Sequence, residues 1–311
     1  MTIWGDASGW PVPPIVLLGC VAAGVLYIRG WMAITQAEVT MKAARASLSL
    51  TSAGSRAGGY QGDSWLWRGI CFVIALLLAL VGDSAPIDIL SGRFFWVHMV
   101  QHLLLLVVIA PLLVAAAPLQ PLWLGLPGWA RGLVVAAARP TMKRALFQVG
   151  HWLRQSALSC GLLIAGIWVW HWPVLYDLAL TNETIHDWCE HLTFLAVSVL
   201  FWTQVIPSAP LRPRLGYARQ MVCVGVAIAQ NVALAVLPGF VPTLLYAPYV
   251  QLAAAPVAFS ALQDQQLGAG IMWTFGDLPL GVALSVLFQR WLAEHSEDAS
   301  VAIPSPRTQE R

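Results

Sequence analysis

Five histidines lie within or beside apolar stretches of this sequence, where their imidazole rings could bind a metal ion. They are His98, His102, His171, His186 and His191. Imidazole nitrogens are good ligands for zinc, copper and haem iron. An ionisable side chain inside an apolar segment is costly to bury and usually marks function. These residues are therefore the first candidates for a binding site.

The spacing of the histidines predicts which of them act together. His98 and His102 are four residues apart in WVHMVQH, so on a helix they share one face and could bind one ion. His186 and His191 are five apart, which on an α-helix separates their side chains by about 140°, so they need not act together.

Two carboxylates on the same stretch could orient these imidazoles. Glu190 follows His186 by one turn, and Asp187 precedes His191 by one turn. A carboxylate at that distance can accept the second ring N–H of a ligating histidine and select its tautomer. We assign no role to His151 or His295, which fall on the opposite side of the membrane in the topology below.

The elements that carry these histidines belong to a membrane protein. The chain has 311 residues, of which 58% are hydrophobic and 10% charged, and its mean hydropathy is +0.69. Soluble domains contain about 25% charged residues, so lipid must cover most of this chain's outer surface. No cationic run is present that would bind nucleic acid. The composition predicts an all-α, polytopic membrane helix bundle.

Seven stretches are long and apolar enough to span a bilayer, which takes about 20 residues. They are about 14–33, 67–83, 94–117, 157–176, 186–206, 220–238 and 268–290. We predict that they form one transmembrane domain over residues 1–293. The polar residues 294–311 are expected to form a disordered cytoplasmic tail.

The distribution of Lys and Arg predicts the orientation. Of the 17 basic residues, all but Arg93 fall on one side when alternate loops are compared. By the positive-inside rule this side is the cytoplasm, which places the N-terminus outside and the C-terminus inside. The five histidines then lie near the outer ends of spans three, four and five, within roughly the outer third of the membrane.

A histidine such as His171 in WHWP is, taken alone, typical of an interfacial aromatic belt. Convergence of five histidines at one depth favours metal or haem ligation instead. The five cysteines are dispersed and include no CxxC pair, which argues against a thiolate site or a disulfide framework. The choice among copper, zinc and haem stays open on these residues.

Two carboxylates near the last span have alternative interpretations. Asp264 precedes Gly268 and Gly270, small residues that let another helix approach closely. Asp264 either caps the last span, or holds a histidine of the layer or binds the ion directly. Asp277 lies mid-span just before Pro279, and we favour local satisfaction over a place on a proton or ion path.

The motifs resemble those of the CtaG-type cytochrome c oxidase assembly factors, the multi-pass Caa3_CtaG family. The resemblance rests on FFWVHMVQHLLL with the following APLL, on HWPVLYDLAL and IHDWCEHLTFLAVSVLFW, and on DQQLGAGIMW. Together they cover residues 93 to about 280. No hydrolase motif such as HExxH or GxSxG is present, in agreement with a protein that is not an enzyme.

The resemblance implies a protein of the bacterial inner membrane that helps to make active haem-copper oxidase, with oxidase subunits as partners and copper as the ion. By matching position, the ligands to test are His98, His102, His171, His186, His191 and Asp264. Two alternatives stay open: a b-type haem protein ligated by histidines of two spans, and a copper permease with Asp277 on its path.

Overall fold

The computed structural model describes residues 12–49, 63–137, 139–153, 155–208, 210, 213, 215–252 and 260–301. Every regular element in these ranges is helical, as predicted. The α-helices are α1 (Pro14–Ser49), α2 (Asp63–Gly82), α3 (Ala85–Ser91), α4 (Phe95–Leu103), α5 (Ala110–Ala116), α6 (Leu119–Gly125), α7 (Gly128–Ala137), α8 (Pro140–Leu153), α9 (Ser156–Trp170), α10 (Pro173–Thr181), α11 (Glu183–Ile185), α12 (Leu192–Val205), α13 (Tyr217–Phe240), α14 (Ala247–Leu252) and α15 (Ala261–Val301). Two π-helical segments, Leu104–Ile109 and His186–His191, join α4 to α5 and α11 to α12.

Five stretches are long and apolar enough to cross a membrane: Pro14–Met41, Trp65–Gly82, Phe95–Ala116, Tyr217–Phe240 and Ala261–Ser296. The bent pair α9 and α10 makes six if it is counted as one span. The multi-pass helical architecture is therefore confirmed, whereas the number of seven spans and the orientation stay predictions. The predicted span 186–206 corresponds to the second π-helical segment, which is polar, and to the apolar helix α12.

The fourth predicted span, 157–176, is not one continuous helix. The helix stops at Trp170, and α10 leaves at an angle of 71°. Pro173 explains the break, because a proline disfavours helical backbone in the residue before it. Trp172 accordingly has φ −68° and ψ 126°, an extended conformation.

The first and last helices are longer than predicted. α1 continues to Ser49 rather than ending near residue 33. α15 begins at Ala261 instead of 268 and runs through Val301. Residues 294–301 are therefore helical rather than disordered, and the rest of the predicted tail lies outside the described residues.

The histidine-bearing helices pack at the centre of the bundle. α15 lies along α13 and against α4, while α12 packs between α9 and α5. Phe95, Met99, Phe194 and Phe201 are fully or almost fully buried in the apolar core between them. α1 and α2 pack separately around Tyr27 and Phe72 and approach this centre through α5 and the first π-helical segment.

A backbone carbonyl ties the helix of His98 and His102 to α12. The N–H of Ala110 donates to the carbonyl of Leu105, and Pro111 has no N–H to offer the next carbonyl. The carbonyl of Leu106 instead accepts from the Ser198 hydroxyl and, at 2.9 Å, from the Trp202 indole. The Leu106 carbonyl, which the π-helical segment and Pro111 leave without a backbone partner, thus joins this helix to α12.

Asp277 is satisfied locally, in line with the favoured interpretation. Its partner is the side-chain amide of Asn231 on α13, which donates to Asp277 Oδ1 at 2.9 Å and to the carbonyl of Met272 at 2.9 Å. This bond joins α13 to α15 at membrane depth, where an unsatisfied polar group is costly.

Candidate metal centre

The five predicted histidines converge on one buried cluster. The ring centroids of His98 and His102 lie 4.2 Å apart, and that of His186 lies 5.1 Å from His98. The ring of His102 is 5.5 Å from that of His191 and 6.1 Å from that of His171. Each of the five side chains is at most 7% exposed. The five histidines that the sequence predicted to share one layer thus form one spatial cluster.

The rings of His186 and His191 lie next to each other, although their spacing in the sequence predicted that they need not act together. Their ring centroids are 4.1 Å apart. The reason is the π-helical segment His186–His191, in which i→i+5 hydrogen bonds bring residues five apart above one another. A regular α-helix would have turned these side chains away from each other.

Four buried residues form the first group that could hold an ion. His98, His102, His186 and Glu190 each offer a ligand atom, and these atoms lie within 4.8 Å of one another. Glu190 is 0% exposed, and its Oε1 lies 3.5 Å from His102 Nε2. Among the described residues, no hydrogen-bond partner reaches either oxygen of Glu190 or either ring nitrogen of His98 and His102.

The atoms of this group are of the type and number that a transition metal binds. Three imidazoles and one carboxylate are a usual ligand set for zinc or copper. Tetrahedral coordination at about 2.1 Å brings ligand atoms to about 3.4 Å from one another. Because the potential ligand atoms lie within 4.8 Å of one another, no pair of them would have to approach by more than about 1.4 Å to coordinate an ion.

His171 belongs to the cluster but to neither group of potential ligands. Its Nδ1 lies 2.8 Å from the carbonyl of Ile167, and because a carbonyl can only accept, Nδ1 carries the hydrogen. The lone pair of His171 Nε2 then faces the buried interior, where this atom has no hydrogen-bond partner among the described residues.

A second group lies beside the first and shares one residue with it. His186, Asp187 and His191 also offer ligand atoms within 4.8 Å of one another. Asp187 Oδ1 is 2.9 Å from His186 Nδ1, and Asp83 Oδ1 is 3.6 Å from His191 Nδ1. The sequence predicted that Glu190 pairs with His186 and that Asp187 pairs with His191. In the structure Asp187 pairs with His186, Asp83 approaches His191, and Glu190 lies against His102.

An aromatic layer covers the cluster on the side of α10 and α14. The ring of Tyr176 lies 5.0 Å from that of His98 and stacks on Tyr246 at 3.9 Å. The Tyr249 hydroxyl donates to the carbonyl of Ser91 at 3.1 Å. The Tyr176 hydroxyl, 3.0 Å away, must then donate to that of Tyr249. The Tyr246 hydroxyl donates to the carbonyl of His171.

The short helix α3 is held against the cluster by Gln101. This side chain is 2% exposed, and its amide donates to the carbonyl of Gly82 at 2.9 Å and to Asp88 Oδ1 at 2.8 Å. Burial raises the pKa of Asp88 to about 7, with the Gln101 hydrogen bond acting in the opposite direction. Asp88 is thus a titratable contact next to the helix of His98 and His102.

The model of one protein family covers most of the chain, including every residue of the cluster. This family, Caa3_CtaG, is described as the cytochrome c oxidase caa3 assembly factor, and its model matches residues 48–294. The chain belongs to the Caa3_CtaG family. The resemblance found in the sequence motifs is therefore confirmed. This Caa3_CtaG protein is a multi-pass helical membrane protein of an oxidase assembly family.

Two curated relatives come from mycobacteria: the uncharacterized protein Mb0105 of Mycobacterium bovis and the uncharacterized protein MT0111 of Mycobacterium tuberculosis. Each is 22% identical over 250 residues, which are 80% of the present chain but 38% of the relative. The present Caa3_CtaG chain thus spans well under half the length of these relatives. No solved structure matches it.

Asp264 lies outside both groups of potential ligands in this Caa3_CtaG protein. Its Oδ2 accepts from the N–H of Phe95 at 2.8 Å and its Oδ1 from that of Trp96 at 3.2 Å. Asp264 therefore caps the N-terminus of α4 from α15, rather than capping its own helix. Gly268 makes this approach possible, because a Cβ there would lie 2.4 Å from the Phe95 ring.

Sequence reasoning missed Asp83 and the tyrosines, and it assigned Glu190 an orienting role only. Asp83 is the last residue of the second predicted span, at its outer end and so at the predicted depth of the histidines, and position alone could have indicated it. The tyrosines gave no such signal. Tyr246 and Tyr249 fall in a connection of no clear periodicity, and only folding places them beside Tyr176.

Proposed function

We propose that this protein binds a copper ion in the group formed by His98, His102, His186 and Glu190, and delivers it to a haem-copper oxidase during assembly. The observation that carries this proposal is the Glu190 carboxylate, which is fully buried and without a hydrogen-bond donor among the described residues. A buried charge in this state is unfavourable unless a cation compensates it. A metal ion held by the adjacent imidazoles would supply that compensation.

Copper is proposed over zinc because of the family. The ligand set alone suits both metals. The oxidase named in the family description belongs to the haem-copper class, so an assembly factor with an imidazole site has copper as its natural cargo. The ion is cargo in this proposal and no reaction is catalysed.

The setting we propose is the bacterial inner membrane, with the cluster toward the outer side and an oxidase subunit as the recipient. The charge distribution of the sequence supports this orientation. Delivery at that depth would place the ion within the membrane region of its recipient, without passage through water.

The packing of the rings favours a bare ion over haem. The centroid of His98 is 4.2 Å from that of His102 and 5.1 Å from that of His186. A porphyrin between any two of these rings would require them to separate. A b-type haem protein would show a Soret band on purification, which distinguishes it from the copper protein proposed here.

The decisive experiment is metal analysis of the protein purified in detergent after incubation with copper and removal of excess ion. We expect about one tightly bound copper per chain, lost in the variant His98→Ala with His102→Ala. His295→Ala is the matched control, because His295 is exposed and hydrogen-bonds to the carbonyl of Trp291 within the same helix. Copper-free wild-type protein, or equal copper in the double variant, would refute the proposal.

Oxidase activity in cells tests delivery separately from binding. Cells that carry the double variant should assemble a copper-deficient oxidase, whereas cells with His295→Ala should not differ from wild type. A permease would instead show copper uptake into vesicles that depends on Asp277.

A further inference from the structure

A large cavity opens beside the cluster, between α1, α2, the first π-helical segment, the second π-helical segment and α12. Its volume is about 640 Å³. Most of its lining is apolar, with side chains such as Ile15, Leu76 and Leu195. At one end the lining is polar, formed by Asp83, Glu183, Asp187 and His191. Among the described residues that line the cavity, none is Lys or Arg.

The polar end of this cavity reaches the histidine cluster through His191. This side chain lines the cavity and is only 6% exposed. Its Nε2 has no hydrogen-bond partner among the described residues. Because Nδ1 lies 3.6 Å from Asp83, a carboxylate can hold the Nδ1–H tautomer and leave the lone pair of Nε2 for a cation.

The opposite side of the cluster is closed. Phe95 and Tyr246 stack at 5.3 Å between centroids, and Phe95 meets Tyr249 edge to face at 5.9 Å. Tyr246 and Tyr249 are each 3% exposed and are anchored to the carbonyls of His171 and Ser91. An ion that approached from this side would have to break these bonds, whereas the cavity presents acidic oxygens directly.

We propose that this cavity is the entry route for copper, and that His186, Asp187 and His191 form a loading site at its polar end. The ion then passes to His98, His102 and Glu190 through His186, which belongs to both groups. This inference rests on the proposed function, because it assumes that the buried group holds copper.

Electrostatics and ligand exchange support this order of events. A cleft of one sign of charge with apolar walls concentrates counterions and raises association rates by about 10 to 10³-fold. Transfer through a shared histidine lets the ion exchange one ligand at a time. The ion therefore keeps ligands throughout its passage through the apolar interior, where an unpaired charge is strongly disfavoured.

The test is the rate of copper loading, compared with the final amount bound. Purified full-length protein in detergent is mixed with copper sulfate, quenched with a chelator at set times, and analysed for metal. For Asp83→Asn with Glu183→Gln, which changes two acidic residues of the cavity that belong to neither ligand group, we expect loading to slow about tenfold or more, with wild-type copper content after long incubation. Raising the salt concentration should slow the wild type and leave the double variant nearly unchanged.

A steric variant tests the route without touching a charge or a ligand. Ala79 lines the cavity, lies on α2 and belongs to neither group of potential ligands. Ala79→Phe should also slow loading about tenfold. Ala22→Phe is the matched control, because Ala22 is an exposed alanine of α1, another helix beside the cavity, and does not line it.

The outcomes separate this inference from the proposed function. If neither the charge variant nor Ala79→Phe changes the loading rate, the route is wrong even though copper binding stands. If wild-type protein binds no copper, the proposed function itself fails.

Discussion

The rings of His186 and His191 lie 4.1 Å apart although the two residues are separated by five positions. The contact depends on the π-helical segment His186–His191, since an α-helix would place these side chains about 140° apart. π-Helical segments are rare and occur often at functional sites. Here the segment places a histidine of the second group directly beside one of the first.

The π-helical geometry can be tested by cross-linking. With Cys189 replaced by alanine, His186→Cys and His191→Cys should form an intramolecular disulfide on oxidation, detected by mass spectrometry. In the matched control, Leu192→Cys and Val197→Cys have the same spacing within α12 and should not cross-link, because a regular helix holds them too far apart and on different faces. Equal cross-linking in both pairs would contradict the π-helical assignment.

Glu190→Gln should have opposite effects on stability and on copper binding. Replacing a buried carboxylate that lacks hydrogen-bond donors with a neutral amide removes an uncompensated charge, so the metal-free protein should melt at the same or a higher temperature. The copper affinity should fall at least about tenfold, since an anionic ligand is lost. Thermal melting and competition with a copper chelator measure the two effects. A decrease in both would indicate a structural role only.

Asp264 variants distinguish a helix cap from a metal ligand. Asp264→Ala leaves the N–H groups of Phe95 and Trp96 without their acceptor, which should cost about 1 kcal/mol of stability. Asp264→Asn keeps one oxygen as an acceptor and should retain most of the stability and wild-type copper content. Loss of copper in the stable Asn variant would support direct ligation, the alternative derived from the sequence.

Two glycines of α15 offer a matched comparison of helix packing. Gly268→Ala would place a Cβ 2.4 Å from the Phe95 ring and 3.1 Å from Trp96 Cα, so α15 and α4 must separate at a cost of about 1 to 3 kcal/mol. A Cβ at Gly270 meets nothing within 4 Å, and Gly270→Ala should be neutral or stabilising. Thermal melting in detergent compares them, and similar melting temperatures would contradict the close approach.

Stability should depend on pH through Asp88. Its pKa is about 7 in the folded protein, against an ordinary value of 3.8. Between these values the folded state binds more protons than the unfolded state, so stability falls as pH rises from about 4 to about 7 and then levels off. Asp83, Asp187 and His191 are the charged or titratable neighbours that act on this carboxyl.

Asp88→Asn isolates this contribution. The amide oxygen can still accept from Gln101, but the side chain no longer titrates. The difference in melting temperature between variant and wild type should be smallest near pH 4, should grow up to about pH 7 and should then level off, with the variant more stable. A constant difference across this range would mean that Asp88 does not have the raised pKa.

Much of this protein could be predicted from the sequence because the bilayer imposes strong local rules. A span must be apolar along its whole length and satisfy its own backbone, so Phe95–Ala116 and Tyr217–Phe240 were found within a few residues of their ends. The cost of burying an imidazole in such a segment also identified the five histidines as functional candidates. These inferences depend only on residues that are close to one another in the sequence.

Only the tertiary structure decided how the polar residues pair. The spacing of His186 and His191 indicated separate roles until the π-helical segment brought them together. The sequence left Asp264 as either a cap of its own helix or a partner of the histidines or the ion, whereas it caps α4. Asp83 and Glu190 gained their partners from other helices. The sequence determines which groups must avoid lipid, since burial cost is a property of each side chain. Which groups meet depends on helix packing, which residue spacing does not encode.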